Sequence, residues 1–437
     1  MDIIKPRIMK GTRDFLPQEM YVRERVIRVI KARFETYGFA PLATPAMEYY
    51  DILTGKYGDE GEGLIFDLAY KGGKEVALKY DLTVPMCRVI AQYQDKIVMP
   101  FKRYQIQPVW RAEKPQRGRL REFYQCDADI VGVADAAADA EIIALITDVM
   151  DDLDFGASVT LVNHRKLLSG LMGRLGITDD RVPGAIRILD KIDKVGEQAV
   201  RSEFTGAGYD GRTVEDLFSL TRTTGDAAGD LDRIGRELSG VDLAMVGIAD
   251  LTRIFGLLTD MGIDQNRVAF APRLARGLAY YTGPVYETVV TTPKVGSLAG
   301  GGRYDGVIGL FTGIDVPATG MALGLERIIE VINEQGTFRD EKSSVAVLVV
   351  PFGEAEVGHA LRIARELRGK GVNTDVYTEA GKLKKKLSYA DRMGIPTVVI
   401  VAPDELSRGV VKVKDMKTGE EKEVGIGDVA NSFGSMP

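Results

Sequence analysis

Apolar residues recur at helical spacing over residues 19–37, EMYVRERVIRVIKARFETY, where Val22, Val26, Val29, Ile30 and Phe34 share one face and Gly38 ends the run. The next stretch, FAPLATPAMEYY, reads as extended, with Pro41 and Pro45 confining it to a sheet edge or end. A second helical pattern covers 137–153, and VTLVN at 159–163 has strand character. From about 170 to 255 the chain turns rich in Asp, Gly, Arg and Thr, with amphipathic pieces such as IRILDKIDKV and VEDLFSLT; this predicts a small helical insertion. PVYETVV (284–290) returns to strand character, and GIDVPATGMALGLERIIEVI (313–332) predicts a strand, a glycine-bearing turn and a helix. Polar, unpatterned TFRDEKSS (337–344) marks a boundary. Beyond it, VAVLVVPF, EVGHALRIARELRGKG, NTDVYT, LKKKLSYADRMG and TVVIVAP alternate strand and helix. That order predicts a parallel or mixed α/β domain of about 95 residues.

Two segments alternate with period two, RYQIQPVWRAE (103–113) and REFYQCDADIV (121–131). Each predicts a strand with one largely apolar and one polar face, and KPQRGRL between them predicts a hairpin with a long basic loop. A solvated outer sheet face explains most such patterns. Here the polar face carries Arg, Gln and Asp with Phe123 in its middle, and the loop adds Lys114, Arg117 and Arg119. Guanidinium forks match phosphate oxygens, and a ring among them suits a stacked heterocycle. The pattern therefore points to a nucleoside triphosphate on a sheet. Neither GxxxxGK[ST] nor strand-GxGxxG-helix is present, so arginines and metal ions would replace a backbone cradle. Arg276 and Arg327 are further candidates. LKKKL (383–387) reads as a solvated helix face or a contact to nucleic-acid phosphates, and AGGGRYDG (299–306) as a flexible turn or a close backbone approach.

A chain of 437 residues is too long for one compact core and suggests two or three domains. The net charge of −6 argues against a surface that coats nucleic acid generally, though not against a local basic patch. Two cysteines, Cys87 and Cys126, and two histidines, His164 and His359, are too scattered for a disulfide framework or structural zinc, so no metal site built from them is expected. His164, His359, Cys126 and Trp110 read as structural. The N-terminus lacks a signal-peptide core and no run of about 18 apolar residues exists. The expected location is cytoplasmic, with no membrane.

With these residues in view, the sequence resembles the histidyl-tRNA synthetase family, class II aminoacyl-tRNA synthetases, nearly end to end. KGTRDFLP (10–17) with the following helix and Pro45 resembles the first class motif, which builds the dimer interface. The basic hairpin resembles the second motif and GMALGLER (320–327) the third. KYDLTVPMCR (79–88), YQCDADIVG and RGLAYYTG (276–283) are similar to the narrower histidine-specific signatures, and 344–437 to the anticodon-binding domain. The resemblance implies an α+β class II catalytic domain, an antiparallel sheet flanked by helices, over 1–170 and 256–335. It implies that the insertion, 171–255, clasps the tRNA acceptor arm.

It also implies roles. Arg111 would bind the ATP α-phosphate and the amino-acid carboxylate, with Arg276 opposite. Glu113 would orient the nucleotide, Arg119 would contact it, and Phe123 and Arg327 would sandwich adenine. Gln125 would sit near the substrate carboxylate. Asp81 and Thr83, with Leu82 between them, would take its α-ammonium, and Asp129 and Tyr281 the imidazole, with Tyr280 nearby. ATP, Mg²⁺, L-histidine and tRNA(His) are the expected ligands, and a homodimer the expected assembly. Where the family usually has aspartate, this chain has Ala279; that acid is not the one assigned to the imidazole, so activity is expected to survive. One alternative is a synthetase-like, histidine-sensing regulatory subunit of ATP phosphoribosyltransferase. Such subunits usually lack the anticodon domain and the ATP residues kept here. Sibling synthetases fail on RGLAYYTG and YQCDAD, and a stress sensor fused to a kinase lacks its kinase motifs.

Overall fold

The structure is a computed structural model that describes residues 4–54, 63–69, 72–73, 75–115, 119–275, 280–293, 295–336 and 342–433, without the side chains at 193 and 194. It divides into two compact units, one formed by residues 1–13 and 26–334, the other by 14–25 and 335–437.

The strands of the first unit, in chain order, are β1 (Ala40–Pro41), β2 (Met47–Tyr49), β3 (Phe66–Leu68), β4 (Val76–Leu78), β5 (Phe101–Trp110), β6 (Glu122–Val131), β7 (Val159–His164), β8 (Val268–Phe270), β9 (Pro284–Val289), β10 (Ala299–Arg303) and β11 (Ala318–Gly324). Eight of them form one sheet in the order β1-β5-β6-β11-β10-β9-β7-β8. All pairs are antiparallel except those at its ends, β1 with β5 and β7 with β8. Pro41, which cannot donate to a ladder, sits in edge strand β1. β2, β4 and β3 make a small antiparallel sheet. An antiparallel sheet flanked by helices is the architecture that the resemblance implies.

The basic hairpin is β5–β6, in continuous register from Phe101↔Val131 to Trp110↔Glu122. Its polar face is not solvated. Arg103, Gln105, Asp127 and Asp129 are as buried as Cys126, Ala128 and Ile130 on the other face. Helix Ala137–Asp152, apolar on most sides, packs against β6, β9, β10 and β11. The Arg303 Nε donates to Asp139 Oδ2 (3.0 Å) and fastens that helix to β10. Of the two readings of AGGGRYDG, the flexible turn fails for AGGGR: it is a strand inside the sheet, where Gly301 and Gly302 come close to neighbouring backbone and rings. The first half of the 313–332 segment forms β11 only from Ala318 onward. The insertion is helical throughout, from Arg165–Arg174 to Asp242–Asp260. His164 is structural: Nδ1 accepts from Lys166 N–H (3.1 Å) and Nε2 meets Asp250 Oδ2 (3.1 Å).

In the second unit, β12 (Val347–Pro351), β13 (Thr374–Val376), β14 (Thr397–Val401), β15 (Val410–Asp415) and β16 (Glu421–Gly425) form a mixed sheet, order β13-β12-β14-β15-β16. Val347 and Val349 join one core with helix Val357–Gly369, while Leu348 and Val350 join another with helix Leu383–Met393. A strand covered on both faces reads as an unbroken apolar run, which is why VAVLVVPF does. Lys386 departs from the solvated reading of LKKKL: it is buried, with Nζ donating to Pro351 O (2.7 Å), whereas Lys385 pairs with Glu379 at the surface. Among the described residues no helix is long and apolar enough to cross a membrane.

Candidate functional site

A cavity of about 540 Å³ opens on the polar face of the sheet, within the usual range for small-ligand sites. The hairpin supplies its longest wall. Strand alternation sends every second residue of β6 into it, from Phe123 through Gln125 and Asp127 to Asp129. Beyond the paired segment, Arg111, Glu113 and Arg119 line its outer part.

Backbone contacts fix these outer residues. The Arg111 N–H donates to Arg121 O (2.8 Å), and its Nε donates to Tyr80 O (3.0 Å). The Arg121 N–H donates to Gly11 O (2.7 Å) and its Nε to Glu113 O (3.0 Å), so the KGTR segment braces the hairpin base. Arg119 and Glu113 form an ion pair. The Arg111 guanidinium lies over the Phe123 ring.

β11 and helix Leu325–Gln335 supply the facing wall. Arg327 Nη1 donates to Ser297 O (2.8 Å), which holds that guanidinium at the cavity. Its neighbour Glu326 accepts from the Tyr124 N–H (3.3 Å), tying the helix start to β6.

A third side comes from the segment after β4. Asp81 Oδ1 accepts from Val84 N–H (3.1 Å) at the start of helix Thr83–Gln92, which fixes the carboxylate there. Asp81 and Thr83 line the cavity. Leu82 departs from its expected place: it is fully buried in the core and does not line the cavity, because the turn into the helix points it away. Tyr280 and Tyr281 close this side with rings 4.5 Å apart. A side chain at Gly302 would come within 2.8 Å of the Tyr281 ring, so a bare backbone there admits the tyrosine. Arg276 and Ala279 lie outside the described residues, as does Arg117.

The charges are graded along the hairpin. Arg111, Arg119 and Arg327 with Phe123 gather toward its loop end, and Asp127 and Asp129 lie roughly 20 Å along β6 from the Glu122 end. Asp129 Oδ2 is 2.6 Å from Arg103 Nη2, and Oδ1 accepts from the Tyr304 hydroxyl. Burial pushes the Asp129 carboxyl upward and the Arg103 guanidinium opposes it. Asp127 is pushed well up, mainly by burial and also by Asp129 and Asp81. Burial likewise lifts Tyr280 far above the ordinary phenol range. Sequence reasoning missed Asp127, Glu326 and Tyr304. Asp127 alone carried a signal, since it has the same parity as Gln125 and Asp129.

Such a cavity suits a polyanion with a flat ring at one end and a hydrogen-bond donor, ammonium or ring N–H, at the other. Among the described residues no cluster of three or more His, Cys, Asp or Glu is placed to hold a metal ion.

A family model described as histidyl-tRNA synthetase matches residues 11–328, and one described as anticodon binding domain matches 346–435. The chain is 36% identical over 451 residues to the histidine–tRNA ligase of Cytophaga hutchinsonii, covering 98% of this chain and 99% of the relative. It is 39% identical over 433 residues to that of Aeropyrum pernix, covering 98% of each. Among solved structures, histidyl-tRNA synthetase from Nostoc sp. PCC 7120 superposes with a TM-score of 0.88 at 29% identity, over 98% of this chain and 99% of that one.

Proposed function

Because the chain belongs to the histidyl-tRNA synthetase family, we propose that its cavity is where L-histidine and ATP react. The enzyme activates L-histidine to histidyl-adenylate with release of pyrophosphate, then transfers the histidyl group to the 3′ end of tRNA(His). In the first step a histidine carboxylate oxygen bonds to the α-phosphorus while the bond to pyrophosphate breaks. In the second, a terminal ribose hydroxyl attacks the carbonyl carbon and AMP leaves. The observation that carries this reading is the convergence of Arg111, Phe123, Arg327, Asp129 and Tyr281 on one cavity.

Both reactants of the first step are anionic. Cations fixed in advance overcome their repulsion and stabilise the charge that develops, so positioning and electrostatics are the main catalytic terms. Arg111 takes the α-phosphate and the substrate carboxylate, with Gln125 beside that carboxylate; Arg276, outside the described residues, is assigned the α-phosphate as well. Phe123 and Arg327 hold adenine between them, and Glu113 and Arg119 orient the nucleotide. Asp81 and Thr83 receive the α-ammonium. Asp129 and Tyr281 receive the imidazole, with Tyr280 next to them. A site built on such hydrogen bonds rejects amino acids lacking them by roughly 10⁴-fold. A Mg²⁺ ion brought with ATP would neutralise phosphate charge in this step. An ion carried by phosphates needs only one or two protein carboxylates, and Glu113 and Glu326 line the cavity.

Residues 1–170 and 256–335 form the catalytic core, 171–255 the insertion that clasps the tRNA acceptor arm, and 344–437 the anticodon-binding domain. A homodimer is supported by exposed apolar side chains near the first motif, Ile4, Ile8 and Met9. A cytoplasmic location fits Cys87 and Cys126, buried as thiols. The histidine-sensing regulatory alternative has less support, because the ATP-side residues line the cavity and the C-terminal domain is present. The test is ATP–pyrophosphate exchange, which should require L-histidine; exchange with another amino acid, or none, overturns the assignment.

A further inference from the structure

Beneath the cavity lies an arginine to which none of these roles falls. Arg103 on β5 is completely buried and directly opposite Asp129 on β6. Its Nη2 is 2.6 Å from Asp129 Oδ2, and its Nη1 donates to Gln105 Oε1 (3.4 Å). Arg103 itself does not line the cavity, whereas Asp129 and Tyr304 do. On the far side of Asp129, β11 presents Gly320, where a Cβ would fall 1.9 Å from Oδ1. A cation, a hydroxyl and a missing side chain thus fix one carboxylate from three elements.

A guanidinium is costly to bury unless it is paired. An apolar pair would fill the same space, so the ion pair must supply orientation and charge. We propose that Arg103 is a positioning residue for the amino-acid side-chain subsite: it holds Asp129 as an oriented carboxylate, so that the subsite accepts a neutral ring N–H. The inference rests on the reading of Asp129 as the imidazole's partner. A protonated Asp129 would present a donor where the ring needs an acceptor. Pairing also neutralises Asp129, which lessens its attraction for the cationic side chains of lysine and arginine.

Other charged or titratable groups share this region. Tyr304 follows β10, Asp127 lies on the same strand as Asp129, and Cys87, on helix Thr83–Gln92, is close to both Arg103 and Tyr304. Asp81, Arg111 and Lys79 act on Asp127. β11 contributes no titratable side chain opposite Asp129.

The test is ATP–pyrophosphate exchange from pH 6 to 9 with Arg103→Met, Asp129→Asn and the double variant, with Arg103→Lys as the rescue. Arg103→Met should raise the histidine KM by about tenfold or more at pH 7, with the ATP KM nearly unchanged. The defect should shrink as pH rises and Asp129 regains its charge. Arg103→Lys should recover much of the loss, and the double variant should be no worse than Asp129→Asn alone. A wild-type histidine KM in Arg103→Met overturns the proposal. So does a defect equal at every pH, or one shared by ATP. If Arg103→Met does not fold, Arg103→Gln is judged by the same criteria. Should Asp129→Asn bind histidine normally, the reading of Asp129 fails first; should only Arg103→Met behave as wild type, the inference alone fails.

Discussion

The guanidinium carbon of Arg111 lies 5.1 Å from the centroid of the Phe123 ring, at the end of the hairpin where β5 and β6 part. One residue offers a cation and the other a flat apolar surface, the two things a nucleotide needs from a sheet without a glycine loop.

Arg111→Ala should therefore reduce histidine-dependent exchange by roughly 10²-fold or more, the scale of losing a preorganised donor to developing charge. The fold should survive, because the strand's own contact, Arg111 N–H to Arg121 O, is backbone. Circular dichroism and exchange rates measured on one preparation check this. A near-normal rate removes Arg111 from the α-phosphate.

Phe123→Ala removes the stacking surface but no charge. Base–aromatic stacking contributes about 1–3 kcal/mol, so the ATP KM should rise by roughly tenfold with little change for histidine. An equal rise in both constants would mean that Phe123 shapes the cavity as a whole and does not contact adenine.

The alternation of 103–113 and 121–131 made the hairpin and the parity of its cavity-facing residues legible. It could not tell that this polar face is covered, because Arg103 and Gln105 would read the same facing water; their burial depends on elements distant in sequence, such as the segment of Thr44, whose hydroxyl accepts from Gln105. AGGGRYDG left a flexible turn and a close backbone approach both open, because glycine serves either and is a poor strand former. The strand exists because Gly301 and Gly302 let the backbone approach Tyr286, Gly320 O and Tyr281, partners no local pattern reveals. The hairpin β15–β16 was overlooked although VVKVKD alternates and Asp415 closes its turn, accepting from the Lys417 and Thr418 N–H groups (2.8 Å each).

Gly320 offers a test of the acidic end of the cavity that removes no functional group. A methyl there would meet Asp129 Oδ1, and the sheet ladder Gly320↔Asp129 leaves the backbone little freedom to retreat. Gly320→Ala should displace the carboxylate and raise the histidine KM by roughly tenfold or more, with the ATP KM changed less. Unchanged histidine affinity would detach Asp129 from the amino-acid subsite.

The C-terminal division can be checked by truncation. Removing 344–437 takes away a sheet with two cores of its own, on either face of β12. Exchange, which needs the cavity alone, should persist at a substantial fraction of the full-length rate, while tRNA(His) charging should fall by roughly 10²-fold through lost nucleic-acid contacts. Equal loss of both activities would undo the division of labour.

Lys79 gives a prediction in stability. It is buried, its Nζ donating to Gln107 Oε1 (2.8 Å) and Thr44 O (3.1 Å). Burial pushes its pKa down to about 8, against the opposing pull of Glu48 and Asp127. A lysine lowered on folding opposes the folded state while it is charged. Below about pH 8 the proton is held in both states and that cost is constant. Between about 8 and the usual 10.5, the unfolded chain keeps a proton the folded chain has released, so unfolding free energy rises with pH. Lys79→Met should lose this contribution. Denaturant midpoints for wild type and variant at pH 7.5 and 9.5 compare the two slopes, with the titration of all other groups common to both. The wild-type slope should be the more positive, and parallel slopes would show that Lys79 keeps its proton on folding.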